Sequence, residues 1–213
     1  RGSGSHAKAS RGIDAALEAD LPVHIFCVTG KSILPELPRF VEETCRAHPG
    51  IKDITLIQII RVPGDALDVS AELLSPGDFL TMVRMASLLN LYGLPVSLLE
   101  NPLAAAAARL SGMPWLPAAR PLFRPGKLVV MADRTITLAH SSRESLGIYT
   151  PGKLRRVLAS ELYRRAIGED AQTCPECPHI ITCREAGMMR PSEPFRDMVE
   201  EVPYCQRVLD LME

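Results

Sequence analysis

The feature that most constrains the fold is an alternation of apolar, strand-like runs with helical patterns over the first half of the chain. The runs contain few polar residues, which is typical of strands buried on both faces of a parallel sheet. Ser75 followed by Pro76 marks one helix start, since serine is a preferred N-cap and proline suits the first helical position. The order β-α-β-α-β-α predicts parallel strands with right-handed crossovers. We predict strands over residues 23–28, 54–60 and 94–99, and helices over 12–19, 34–48, 76–92 and 102–110.

The number of predicted strands bears on the architecture of this α/β fold. Three strands make neither a closed barrel nor a stable sheet covered on both faces. Residues 1–112 are therefore predicted to form the second half of a larger (β/α) barrel. Hydrophobic residues make up 46% of the 213-residue chain, which is enough for a core of this kind.

Charge and hydropathy exclude two classes of partner. The formal net charge is −1, whereas non-specific nucleic-acid binding needs a basic surface. No apolar run approaches the ~18 residues that indicate a membrane span, and no targeting segment is visible. We therefore expect a cytoplasmic protein that binds neither nucleic acid nor a membrane.

A different type of sequence begins near Gly112, where four prolines within twelve residues mark a connection between domains. Residues 127–131 and 135–138 predict a β-hairpin with a tight turn at Asp133 and Arg134. A helix with an apolar stripe is predicted over residues 150–166. These elements place a second domain at residues 113–213.

A cysteine cluster follows the hairpin and the helix. Cys174, Cys177 and Cys183 have C-x2-C-x5-C spacing, and Cys205 lies downstream. The two-residue gap lets both thiolates face one metal centre, and the adjacent prolines prevent the turn from continuing as a helix. Disulfides are disfavoured because they require an oxidising compartment, and a core role does not suit a proline-rich turn. Four thiolates hold either a tetrahedral zinc or a 4Fe–4S cluster, and the spacing alone leaves both open.

The half barrel, the hairpin, the helix and the cysteine segment together resemble the C-terminal part of radical S-adenosylmethionine (radical SAM) enzymes with a SPASM or twitch extension. The resemblance implies a partial (β/α)6 barrel for S-adenosylmethionine and a catalytic 4Fe–4S cluster, followed by a small SPASM/twitch-like domain. It also implies that Cys174, Cys177, Cys183 and Cys205 are the ligands of an auxiliary 4Fe–4S cluster. The segment 145–148 resembles the turn that follows the hairpin in this family.

The chain departs from the family pattern at several positions. Gly187 stands where the family has a further cysteine, and Ala139 and His140 stand where a hairpin cysteine is expected. We therefore predict a single auxiliary cluster. The C-x3-C-x2-C motif of the catalytic cluster is absent, and Cys27 and Cys45 are assigned to the core. We expect the chain to be inactive alone and to require the missing N-terminal half of the barrel. That half is either a part of the same protein that was removed or not observed, which is the interpretation we favour, or a separate chain.

The resemblance places S-adenosylmethionine at the C-terminal ends of the barrel strands, where parallel α/β sheets bind ligands in general. Gln58 interrupts an apolar strand there and needs a polar partner. A ligand ribose or carboxylate would satisfy it, and so would a structural hydrogen bond. We predict Gln58 and Arg61 as cofactor contacts. His179, inside the cysteine loop, is interpreted as a solvent-facing residue, and Trp115 as a contact between barrel and extension.

Two functions from different classes follow from these patterns. In the first, the full-length protein is a radical SAM oxidoreductase or maturase. It modifies a peptide or protein substrate through a radical formed from S-adenosylmethionine, and the auxiliary cluster transfers electrons. In the second, the four cysteines hold a structural zinc in a non-catalytic module that mediates protein interaction. The first function predicts a brown protein and the second a colourless one.

Overall fold

A computed structural model describes residues 3–60, 67–99, 103–117, 126–138, 144–167, 178–179, 181 and 201–212. The helices are α1 (Ser5–Glu18), α2 (Leu37–Ala47), α3 (Pro76–Leu91), α4 (Leu103–Leu110), α5 (Lys153–Leu158), α6 (Glu161–Ala166) and α7 (Glu201–Asp210). The strands are β1 (His24–Thr29), β2 (Asp53–Gln58), β3 (Val96–Leu99), β4 (Val129–Val130), β5 (Thr135–Thr137) and β6 (Gly147–Ile148). Short 3₁₀ turns span Leu34–Glu36 and Ser70–Glu72.

The first strands form a parallel sheet in the order β1-β2-β3. His24 lies opposite Asp53, and Ile54 lies opposite Val96. Strand order equals chain order, so each connection leads to the adjacent strand. The predicted α/β fold with a parallel sheet is therefore confirmed.

The helices pack on one face of this sheet. Alternate strand residues, among them Ile54, Leu56 and Val96, are buried in a core that also includes side chains of α2, α3, α4 and α7. The residues between them point to the opposite face, because side chains alternate along a strand. On that face Phe26 is 61% exposed and Val28 is 55% exposed. The described residues thus cover this second face only in part.

A capping box begins α3. The Ser75 hydroxyl accepts a hydrogen bond from the Asp78 N–H at 3.2 Å, and the Asp78 carboxylate accepts one from the Ser75 N–H at 3.1 Å. Hydrogen bonds from Ser75 hold the pKa of Asp78 below its usual range. The predicted N-cap is confirmed. The helix ends shortly before Gly93, whose φ of 84° is a conformation that glycine adopts readily.

Ser75→Ala is expected to lower the free energy of unfolding by about 1 kcal/mol at neutral pH, because α3 loses its N-cap. The depressed pKa of Asp78 stabilises the folded chain above the unfolded-state pKa of about 4. This contribution is lost as pH falls through the lower folded-state pKa. Urea unfolding of parent and variant at neutral pH and near pH 3 measures the effect. A difference of equal size at both pH values would contradict the role of Asp78.

A second, antiparallel sheet has the order β4-β5-β6. Strands β4 and β5 form the predicted hairpin, and Arg134 in its turn has a φ of 69°. Strand β6 pairs with β5 and is an addition to the predicted hairpin. Ile136, Val157 and Tyr163 belong to a separate core beneath this sheet.

The helix predicted over residues 150–166 is divided into α5 and α6. The Ser160 hydroxyl accepts from the Tyr163 N–H at 3.1 Å and donates to the Val157 carbonyl at 2.7 Å. Ser160 therefore ends one helix and caps the next, with an extended backbone at ψ 151°. Apolar residues keep helical spacing across the break, so periodicity alone predicts one continuous helix.

The last helix returns to the first core. The ring of Tyr204 on α7 meets the ring of Phe79 on α3 edge to face, with centroids 5.9 Å apart. Val208 and Leu209 are buried in the same core. Thus α7 packs with the parallel sheet although it follows the antiparallel sheet in sequence. The domain boundary between residues 112 and 113 stays a prediction.

Among the described helices, none is both long enough and apolar enough to cross a membrane.

Candidate metal centre and cofactor site

The carboxyl ends of β1 and β2 meet at Thr29 and Gln58. Gln58 is 8% exposed, and its Nε2 donates a hydrogen bond to the Tyr204 hydroxyl at 3.3 Å. Alternation along β2 places Gln58 on the same face as Leu56, which is the face packed by helices. Gln58 therefore has a structural partner, and its contact with a cofactor stays a prediction. Arg61 lies outside the described residues.

Tyr204 lies between Phe79 and Gln58 at this end of the sheet. Burial raises the pKa of Tyr204 to about 12, so its hydroxyl keeps its proton at physiological pH. The hydroxyl accepts from Gln58 and retains its own proton as a donor. Sequence reasoning missed this residue, and the one signal that could have identified it is its position directly before Cys205.

Tyr204→Phe is expected to lower the free energy of unfolding by about 1 kcal/mol. The variant removes the hydrogen bond to the buried Gln58 amide and keeps an aromatic ring against Phe79. Urea denaturation measures the change. Tyr92→Phe is the matched control, because Tyr92 is 82% exposed and its substitution should leave stability unchanged. Equal stability of the two variants would show that this hydrogen bond does not hold α7.

A close approach of two segments shapes the loop after β1. The Glu72 carboxylate accepts hydrogen bonds from the Ser32 N–H at 3.0 Å and from the Ser32 hydroxyl at 2.8 Å. These bonds lower the pKa of Glu72. Glu72 Oε2 lies only 2.5 Å from the position that a Cβ on Gly30 would occupy. A side chain at residue 30 would therefore displace the Glu72 carboxylate from its position beside Ser32.

The structure describes one of the four predicted cluster ligands. Cys205 lies on α7 and is 9% exposed, within the core shared by α3 and α7. Cys174, Cys177 and Cys183 lie outside the described residues. Among the residues that are described, no three His, Cys, Asp or Glu side chains form a group that would hold a metal ion.

The burial of Cys205 is compatible both with a structural core cysteine and with a thiolate ligand. Apolar neighbours shield it from water, and restricted solvent access is one of the factors by which a protein tunes an iron–sulfur cluster. Cys205 is also the residue next to Tyr204 in the sequence. The helix that would supply the ligand, α7, is therefore the helix whose Tyr204 accepts a hydrogen bond from Gln58. The structure thus links the helix that carries Cys205 to Gln58 through the neighbouring Tyr204. The set of four thiolates itself suits iron–sulfur and zinc alike.

The other residues named in the sequence analysis differ in their burial. Cys27 and Cys45 pack against the first core, as predicted, and burial raises the pKa of both thiols. His179 is half-buried. Trp115 is 43% exposed and donates its indole N–H to the Ser87 carbonyl of α3 at 3.0 Å. His140 lies outside the described residues.

A polar row crosses the sheet face opposite the helices. The hydroxyls of Thr55 and Ser97 both donate to the Asp53 carboxylate, the latter at 2.7 Å. Phe26 lies beside Thr55 in the strand register. The sequence analysis did not predict this row; the signal that could have identified it is Thr55, which with Gln58 interrupts an apolar strand.

Comparisons of the chain with protein-family models, curated proteins and solved structures find no match.

Proposed function

We propose that this chain is the C-terminal part of a radical SAM enzyme with one auxiliary 4Fe–4S cluster, held by Cys174, Cys177, Cys183 and Cys205. The observation that carries the proposal is the position of α7. This helix bears Cys205 and is bonded through Tyr204 to the carboxyl end of β2. Parallel sheets bind their ligands at that end. The helix that supplies a cluster ligand therefore also contacts the edge that we expect to hold S-adenosylmethionine.

The sheet topology supports the barrel part of the proposal. Strand order equals chain order, and the helices share one core on one face. A doubly wound sheet reverses its strand order and carries helices on both faces. A barrel keeps its helices outside and turns the other face inward. This arrangement favours a partial (β/α)6 barrel for residues 1–112, and the antiparallel sheet favours a SPASM/twitch-like unit within 113–213.

The cofactors and this chain have separate tasks in the proposal. When bound, the clusters and S-adenosylmethionine would supply the radical and electron-transfer chemistry for modification of a peptide or protein. The four cysteines would hold the auxiliary cluster, and Gln58 and Arg61 would contact S-adenosylmethionine. Phe79 holds α7 against α3 and Gln58 links it to the sheet, both through Tyr204, and this attachment would position Cys205.

The partly covered sheet face supports a partner. Phe26 and Val28 expose apolar surface there, next to the polar row of Asp53, Thr55 and Ser97. Sheets with only parallel strands are generally covered on both faces. We propose that the N-terminal half of the barrel covers this face and contributes the catalytic cluster, so this chain alone would be inactive.

A structural zinc is the second candidate, and the burial of Cys205 is equally compatible with it. A closed site with four cysteines would fasten α7 to the preceding cysteine segment and would stabilise the fold directly. In this case the module would mediate protein interaction without catalysis.

Metal analysis and a visible spectrum of anaerobically prepared chain distinguish the two candidates. We expect a brown protein with about four irons per chain. Its broad absorption should be lost in Cys177→Ala and kept in Cys45→Ala, since Cys45 lies on α2 against the core. A colourless protein with about one zinc per chain, even after anaerobic reconstitution, would overturn the radical SAM proposal and support the zinc module.

A further inference from the structure

Ser10, Asp14 and His48 form a hydrogen-bonded array at the opposite end of the parallel sheet from Gln58. Ser10 and Asp14 lie one turn apart on α1, and His48 follows α2 directly. Asp14 Oδ1 lies 2.6 Å from His48 Nδ1, and Ser10 Oγ lies 3.1 Å from His48 Nε2. The His48 side chain is 9% exposed, whereas that of Asp14 is 49% exposed. Ser10 is half-buried.

The hydrogen-bonding properties of the three side chains indicate which atom donates and which accepts in each hydrogen bond. An ionised carboxylate only accepts hydrogen bonds, so His48 Nδ1 must carry the proton that faces Asp14. In the neutral imidazole, Nε2 is then the acceptor, and the Ser10 hydroxyl must donate to it. This order of nucleophile, base and orienting carboxylate is the one that activates serine in covalent catalysis.

We propose that Ser10 is an activated nucleophile that accepts an acyl group from activated esters. Ser10 Oγ attacks the carbonyl carbon while His48 Nε2 takes the hydroxyl proton. The bond from that carbon to the leaving oxygen breaks, and the leaving alkoxide or aryloxide takes the proton from His48. The products are an ester on Ser10 and a free alcohol or phenol, so no electrons are gained or lost. This site is independent of the cluster proposed above.

The surroundings of Ser10 restrict the class of acyl donor. Ser10 lies inside α1, so the backbone N–H groups at and after it are engaged in helical hydrogen bonds. The described residues near Ser10 therefore lack the pair of free backbone donors that would stabilise an oxyanion. Loss of one such donor alone lowers the rate of acyl transfer by about 10²–10³. The array thus suits small esters with good leaving groups, such as aryl esters, and does not suit amides.

The same bonds also fasten α1 to the segment between α2 and β2, and none of the α1 residues is buried. A purely structural role would leave Ser10 no more reactive than another serine of this helix. Ser5, at the start of α1, is exposed and provides that internal reference. A comparison of the reactivity of Ser10 with that of Ser5 therefore distinguishes a nucleophilic role of Ser10 from a purely structural one, whereas a measurement of stability would not.

The test is acetylation of the full chain by p-nitrophenyl acetate, with the modified residues located and timed by peptide mass spectrometry. Ser10 should be acetylated at least about 100-fold faster than Ser5, because general-base assistance contributes that much. His48→Gln should reduce the Ser10 rate to that of Ser5, and Asp14→Asn should lower it by about tenfold or more.

Circular dichroism of each variant checks that the fold is intact. If His48→Gln does not fold, Asp14→Asn alone decides, because its side chain is half-exposed. Equal acetylation of Ser10 and Ser5 in the parent chain would overturn the proposal. A Ser10 rate unchanged in Asp14→Asn would overturn it as well.

Discussion

Cys205→Ala is expected to bind less than half of the iron that the parent chain binds after anaerobic reconstitution. The variant removes one of the four proposed thiolates, which leaves an iron site open and the cluster labile. It also removes the proposed ligand on α7, so the cluster would no longer be tied to the helix that contacts Gln58 through Tyr204. Iron and sulfide analysis of the two proteins, together with the visible spectrum, measures the loss.

Cys27→Ala is the matched control for this loss. Cys27 packs against the same core, but it lies on β1, outside the cysteine segment. The control should therefore retain the iron of the parent chain. If Cys205→Ala and Cys27→Ala bind equal amounts of iron, Cys205 is a core residue and the proposed ligand set is wrong.

Phe79→Ala is expected to lower the free energy of unfolding by about 3–5 kcal/mol, the range for an aromatic residue deleted from a core. The Phe79 side chain is fully buried, and its ring contacts Tyr204 edge to face. The deletion leaves a cavity beneath α7 and removes this aromatic contact. Urea denaturation of the parent and variant chains measures the change in free energy.

The weaker attachment of α7 in Phe79→Ala should also be measurable in α7 itself. Amide hydrogen exchange over residues 201–210 should be faster in Phe79→Ala than in the parent chain, because α7 loses its contact with α3. Tyr92→Ala on the exposed surface is the control and should change neither quantity. A loss below about 1 kcal/mol in Phe79→Ala would mean that α7 is held to α3 by other contacts.

The parallel sheet was largely predictable because its signals are local. Apolar runs predict buried strands, and Ser75 with Pro76 predicts the start of α3, where a capping box is present. The hairpin of β4 and β5 was predicted from two short runs around a tight turn. In each case the residues that determine the element lie within it or next to it.

The elements that were missed depend on contacts distant in sequence or lack an apolar pattern. Helix α1 begins at Ser5 rather than at Gly12, because its first turns face solvent and carry no apolar periodicity. The break at Ser160 depends on one side chain that bonds to the backbone on both sides. Strand β6 is only two residues long, which is too short for alternation to be visible.

The candidate site shows the same limit. The cysteine pattern and the family resemblance predict four ligands, and a polar residue in an apolar strand predicts Gln58, but neither pattern indicates that α7 packs on α3 and reaches β2 through Tyr204. That contact depends on Tyr204 and Phe79, which are far apart in the sequence. The array of Ser10, Asp14 and His48 likewise arises only when α1 and the end of α2 are brought together.

The mass of the group bound to the intact, anaerobically prepared chain tests the central claim most directly. Native mass spectrometry weighs the protein together with its bound metal, so it distinguishes one 4Fe–4S unit from two and from a single zinc ion. The proposal predicts one 4Fe–4S unit on the parent chain and none on most molecules of Cys205→Ala. A parent chain that carries one zinc ion, or no metal after reconstitution, would contradict it.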